Sequence, residues 1–336
     1  GFYWCEYLDG NFHKGKGYER LSGFARLSCP DAWLGIAVRR FSENYPRGFA
    51  ARKGTISFLM YPEKGFWPRT QEAHDARTYQ FEGGRHKTAN AILSFDPDFS
   101  SNLLAQCNSR LFARAPVSWY RDTGAVVPLA SPYLETDKSE LNEAISRYDR
   151  LQKAKLIAEY ADPVEPAFFL PDEWTRMTIP TMREHAPEIF YGWMNYGDLV
   201  WHAGYCSLFY EWPYQILQHY LRFGDKIFFD TGDDMIRHRY DIDQYHVLDT
   251  ALHLGGFQRY EKGEHGHISR QEPRRGCNKY WERNAVASHT WNRGPLLHWV
   301  LTGDRRSLDT GVMNGEAFRR SFYEKHKLAE AEILEI

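Results

Sequence analysis

An eight-residue segment of this chain has a counterpart 79 positions later, with its His, Gly and Asp retained, and that repeat limits the folds open to it. His219-Tyr220-Leu221-Arg222-Phe223-Gly224-Asp225-Lys226 aligns with His298-Trp299-Val300-Leu301-Thr302-Gly303-Asp304-Arg305 (219 to 298). The match resumes at Asp230-Thr231-Gly232 and Asp309-Thr310-Gly311. In each copy an apolar helical run ends at a glycine, which takes the left-handed C-terminal position, and an Asp then starts the next helix. Helix, tight Gly-Asp turn, helix, repeated at one period, is the unit of an α/α array. From Asp137, Leu141, Ile145, Tyr148, Leu151 and Leu156 recur at helical spacing. About seven helices of ordinary length fit from there to the last residue, fewer than a closed toroid uses.

The first part of the chain reads differently. Phe24–Ser28, Trp33–Val38, Thr55–Tyr61 and Thr88–Phe95 are short apolar or alternating runs separated by Pro, Gly and Asn turns, the pattern of antiparallel strands. Residues 100–110 suit a short helix, and 115–135 is Pro-rich and patternless, like a linker. The expected fold is multidomain α and β: an antiparallel β-sandwich over 1–130, truncated at its N-terminus, then an incomplete α/α toroid over 131–336, truncated at its C-terminus.

Charge and cysteine usage narrow the partners. Lys plus Arg number 42 against 44 Asp plus Glu, so no electrostatic case exists for nucleic acid. No apolar run could span a bilayer. Cys5, Cys29, Cys107, Cys206 and Cys277 are scattered without a CxxC, which argues against a zinc site and leaves the compartment open, with a secreted or periplasmic location favoured. Aromatic residues make up 16% of the chain, including 11 Trp and 21 Tyr. Such a surplus supplies flat platforms for sugar rings as well as core.

Arg237 through His246 holds almost nothing apolar. On a continuing helix Asp234, His238, Asp241 and Tyr245 share one face, which suggests a wet wall where protons move, or a solvated surface. Three further patches carry similar chemistry: Asn195-Tyr196-Gly197-Asp198 with Trp201 and His202; His265-Gly266-His267 with Arg270, Arg274 and Arg275; and His289, Trp291, Asn292 and Arg293. His265 and His267 would face one way on a strand and permit metal ligation, but no third ligand is evident. Asp230, Asp233 and Asp234 bring calcium to mind, yet acids in the first turns of a helix ordinarily complement its dipole. No cofactor is expected.

Several pieces together resemble the exo-acting rhamnogalacturonan lyases of polysaccharide lyase family 26 and their bacterial relatives. They are Ala37–Pro46, Gly84–Thr88, Tyr191–Asp198, His238–His246 and Ser288–Gly294. The resemblance implies a barrel, a β-sandwich and an α/α toroid, with the barrel missing here. Phe209–Tyr214 departs from the family, where an Asn-rich, acidic Tyr-Asp motif is expected.

The implied reaction is β-elimination on an acidic polysaccharide or oligosaccharide. The proton α to a uronate carboxylate is weakly acidic, so a cation or amide must neutralise that carboxylate before a base can act. His, Lys or Tyr can be the base, and Tyr or His can protonate the leaving oxygen. On this reading His238, Tyr245, His246, His289 and Arg293 are catalytic. Asn195, Tyr196, Asp198, Trp201, Asp241, His265, His267, Trp291 and Asn292 bind substrate, and no residue holds a metal. The plainer readings are internal hydrogen bonding for the His residues, capping or loop anchoring for Asp198, and core packing for about half of the Trp residues. Two other functions compete. A glycoside hydrolase would need a paired acid and carboxylate, from among Glu211, Asp198 and Asp241. A non-catalytic carbohydrate-binding protein would need only the platforms.

Overall fold

The structure, a computed structural model, describes residues 3–8, 11–16, 22–44, 47–52, 54–62, 84–96, 100–109, 112–126, 129, 139–147, 192–193, 196–197, 200–201, 204–205, 211–246, 254–256 and 291–326. The chain divides into two compact units. One spans Gly1–Glu82, Lys87–Leu111 and Tyr191–Tyr196, the other Gly83–His86, Phe112–Phe190 and Gly197–Ile336.

Among the described residues of the first unit every strand pair is antiparallel. Strands β1 (Tyr3–Leu8) and β2 (Asn11–Lys16) form a hairpin. β3 (Phe24–Cys29) pairs with β4 (Ala32–Val38), which also pairs with β7 (Ala91–Ser94), while β5 (Gly48–Arg52) and β6 (Thr55–Leu59) form their own hairpin. Strand β4 is the keystone because its alternation is apolar on both faces. Ile36 and Val38 point to one side, where they meet Phe41, Phe49, Ile56 and Phe58. Phe41 and Phe49 stack there with ring centres 4.9 Å apart. Ala37 points to the other side, and its small side chain admits helix α1 (Ser100–Asn108) through Leu103 and Cys107. The expected strands and short helix are present. The three-stranded sheet thus has a hairpin on one face and a helix on the other.

Among the described residues of the second unit, the strands are the two-residue β8 (Val200–Trp201) and β9 (Gly204–Tyr205), and the longer elements are helices. Helix α2 (Val117–Thr123) ends at Gly124, φ 64°. Residues 140–147 are helical, but Leu141 of the expected apolar stripe is 71% exposed while Asn142 and Ser146 are buried. The stretch expected to be a linker, described at 115–126 and 129, is mostly exposed but sends two residues into the core. Tyr120 and Leu129 are buried with Tyr214, Leu217, Tyr220, Leu221 and Phe229.

Helices α3 (Trp212–Phe223), α4 (Lys226–His238), α5 (Arg293–Thr302) and α6 (Arg305–His326) form the two repeated hairpins. Gly224 and Gly303 close α3 and α5 in the left-handed region, φ 77° and 68°, each donating its N–H to the carbonyl four residues back. The second helix of each hairpin opens on the same i,i+4 ion pair, Lys226–Asp230 and Arg305–Asp309. Gly232 lies against Ile216 and Leu217, and Gly311 against Pro295 and Leu296, again at matching positions. The two copies differ at the cap. The Asp304 carboxylate accepts the Arg306 N–H, whereas Asp225 makes no such side-chain bond. Among the described residues no helix is long and apolar enough to cross a membrane.

Candidate functional site

Helix α4 does not simply stop at His238. It widens into five residues of π helix, Arg239–Asp243, a form that concentrates at functional positions. Everything from His238 to Tyr245 is buried, with side chains almost wholly out of solvent. The expectation of a wet wall or solvated surface is therefore overturned by internal pairing. His238 Nε2 lies 3.4 Å from Asp243 Oδ1, five residues on, as the wider turn allows. Arg239 is fully enclosed and faces the Glu211 and Asp243 carboxylates. Burial lowers its pKa to about 10 while those acids oppose the shift, and it stays protonated at neutral pH. Gln244 donates to the carbonyls of Gly255 and Thr310, at 3.0 and 2.9 Å. Tyr245 is held by backbone bonds to Gly255 and Gly256.

Residues 84–86 lie along one side of the π turn. The His86 N–H donates to the Asp241 carbonyl at 3.2 Å, and the His246 N–H donates to the Gly84 carbonyl at 2.6 Å. These bonds bring the two imidazoles face to face, with centres 3.6 Å apart and planes 22° apart. Beneath them the Asp241 carboxylate is 3% exposed, with Oδ1 3.4 Å from His86 Nε2. The same oxygen accepts a hydrogen bond from the Arg306 guanidinium, which lies 4.4 Å from the centre of the Tyr240 ring. The His86 and Arg306 side chains reach solvent, at 37% and 27% exposure.

Both imidazoles favour the neutral form. Burial, then the positive charges of His246 and Arg306, push the His86 pKa down to about 4 against the pull of Asp241. Burial also lowers His246, against the hydrogen bond to the Tyr240 carbonyl. That bond fixes the tautomer. A carbonyl can only accept, so His246 Nε2 carries the proton and Nδ1 keeps its lone pair. Rings stacked face to face cannot both direct an in-plane lone pair at one ion, so this pair makes a poor shared metal site. Among the described residues, no group of three or more His, Cys, Asp or Glu gathers as a metal would require.

A second constellation looks catalytic but is sealed. Ser307 Oγ lies 2.8 Å from His298 Nδ1, and His298 Nε2 lies 2.8 Å from Asp233 Oδ1. All three residues are 0% exposed, so no substrate reaches the hydroxyl. Arg237 joins Asp233 to Asp304, and the set ties α4, α5 and α6 together. Asp230, read as dipole complementation, pairs with Lys226, and Asp233 serves this buried set.

Arg293 opens α5, but its partner is internal. Glu211 accepts from Arg293 Nε at 3.1 Å and from the Gly294 N–H at 3.0 Å. Glu211 has left-handed backbone, φ 52°, rare for a non-glycine residue. Asn292 is the N-cap of α5, Trp291 is half-buried beside it, and Tyr196 is buried in the first unit. Trp201 lies on β8. Asn195, Asp198, His265, His267 and His289 lie outside the described residues. The structure therefore gathers Asp241 and His246 and turns His238 and Tyr245 inward. The sequence reading did not place Arg306, Ser307 and Asp233 in any site. The 79-residue shift was a usable signal for two of them, since it puts polar Arg306 and Ser307 where the first copy has Ile227 and Phe228. No family model matches this chain, and no curated protein matches it.

Proposed function

We propose that the chain is a carbohydrate-active lyase that cleaves a uronate linkage of rhamnogalacturonan type by β-elimination. On this reading its sheets belong to a β-sandwich and its repeated hairpins to an α/α toroid, as the resemblance implies. The observation that carries the proposal is the group His86, Asp241, His246 and Arg306. It combines a neutral imidazole with a free Nδ1 lone pair and a solvent-reaching guanidinium.

Elimination needs both parts. Arg306 neutralises the uronate carboxylate, which acidifies the α-proton. His246 Nδ1 takes that proton, the C–H electrons form the ring double bond, and the bond from C4 to the glycosidic oxygen breaks. The imidazolium then returns its proton to the departing oxygen. Hydrolysis is less well served. Glu211 is committed to Arg293 and Gly294, and Asp241 to Arg306 and His86, so neither carboxyl is free to be the general acid.

The test is incubation with rhamnogalacturonan while following unsaturated-uronate absorbance and reducing ends together. Rise of both, lost in His246→Ala, is the expected result. Reducing ends without absorbance would mean hydrolysis, and binding with neither signal would mean a lectin-like role.

A further inference from the structure

We propose that His86 is a positioning residue whose ring face, rather than a ring nitrogen, serves the reaction by stacking on His246 and stabilising the imidazolium that forms there. This rests on the elimination reading above and assigns the second histidine of that site a job distinct from proton transfer.

The geometry separates the two rings. At 3.6 Å between centres and 22° between planes they meet face to face, so neither donates a hydrogen bond to the other and no proton passes between them. Two imidazolium ions cannot share such a stack at ordinary pH, because like charges at that distance repel strongly. Only one ring carries the proton, and its surroundings select His246. The groups facing the pair are Asp241 and Tyr240 from the π turn and Arg306 from α6. Arg306 already occupies the Asp241 oxygen nearest His86, which blunts the carboxylate's pull on that ring. His246 additionally donates to the Tyr240 carbonyl, a bond that strengthens when the ring becomes a cation. A neutral imidazole lying over an imidazolium presents its π face to positive charge, a cation–π arrangement that is strongest when water is excluded. The low pKa of His86 fits a ring that stays neutral while its neighbour titrates.

The experiment labels histidine ring nitrogens in the full chain and follows them by long-range proton–nitrogen correlation across pH. It compares wild type, His86→Phe and His86→Leu, since Phe keeps a π face and Leu has none. The expected result is that His246 holds the Nε2–H tautomer and takes up the first proton while His86 stays neutral. His86→Phe should preserve the His246 titration, and His86→Leu should move it to lower pH. In the lyase assay His86→Leu should lose about thirtyfold in kcat, the size of a desolvated cation–π contact, and His86→Phe should recover most of that loss. First protonation at His86, or identical His246 titrations in the Phe and Leu variants, would overturn the assignment. The spectra report on the stack even in a protein with no lyase activity, so the failure of one proposal is visible apart from that of the other.

Discussion

His298 Nε2 and Asp233 Oδ1 lie 2.8 Å apart, with both side chains wholly enclosed. An ionised carboxylate only accepts, so the proton sits on Nε2, and Nδ1 accepts a hydrogen bond from the Ser307 hydroxyl. One ring therefore joins three helices through its two nitrogens. His298→Ala leaves Asp233 and Ser307 without that partner and opens a cavity, and should cost about 3 kcal/mol. Ser307→Ala removes one neutral bond and should cost about 1 kcal/mol. Urea unfolding midpoints check both, and equal losses would mean that the ring contributes only its volume.

The acid limb of stability should carry the signature of His86. An unfolded histidine titrates near 6.5, while His86 in the fold titrates near 4. Above the first value both states are neutral and nothing differs. Between the two values the unfolded chain holds a proton that the folded one refuses, so stability falls as pH falls and levels off below the second. His246 adds in the same direction. His86→Phe should flatten this limb, as read from unfolding curves at stepped pH. A parallel wild-type and variant profile would contradict it.

Two left-handed glycines should respond differently to the same change. A methyl group on Gly303, φ 68°, meets open space, so Gly303→Ala should lose about 1 kcal/mol from backbone strain alone. Gly197, φ 95°, lies flush against α4, where a methyl would strike the Asp234 carbonyl and His238 Cβ. Gly197→Ala should cost at least about 3 kcal/mol, as overpacking adds to strain. Thermal unfolding of the two variants side by side tests the ranking.

Glu211 links the start of α5 to the enclosed Arg239. Glu211→Gln keeps an oxygen for the Gly294 N–H but leaves the Arg239 cation with Asp243 as its principal counter-charge. A cost of about 3 kcal/mol is expected, as for a broken buried pair. Arg293→Ala should cost under about 1 kcal/mol, because that guanidinium is 56% exposed. Denaturation of both variants decides whether the carboxylate serves mainly the interior or the surface.

The sequence shows most clearly what is local. Gly224 and Gly303, their following Asp residues and the strands around Val38 declare themselves through neighbours a few positions away. The interior of 238–245 does not. Polar residues ordinarily face water, and here they are buried against groups distant in the chain: the Glu211 charge near Arg239, the Gly255 and Thr310 carbonyls on Gln244, Arg306 on Asp241. No local pattern contains those partners. The same holds for His86, whose place beside His246 depends on backbone bonds between segments far apart in the chain.

Arg239–Asp243 carries a larger consequence than its five residues suggest. In the second copy α6 runs unbroken from Arg305 to His326, and the position matching His238 is Ala317, buried and chemically silent. One spare residue in a turn shifts the phase of all that follows by about 100°. The two copies thus share a screw but not a pitch. The slipped thread gathers Asp241 and His246 with Arg306, leaving one half of a near-symmetric frame as armature and the other as workpiece.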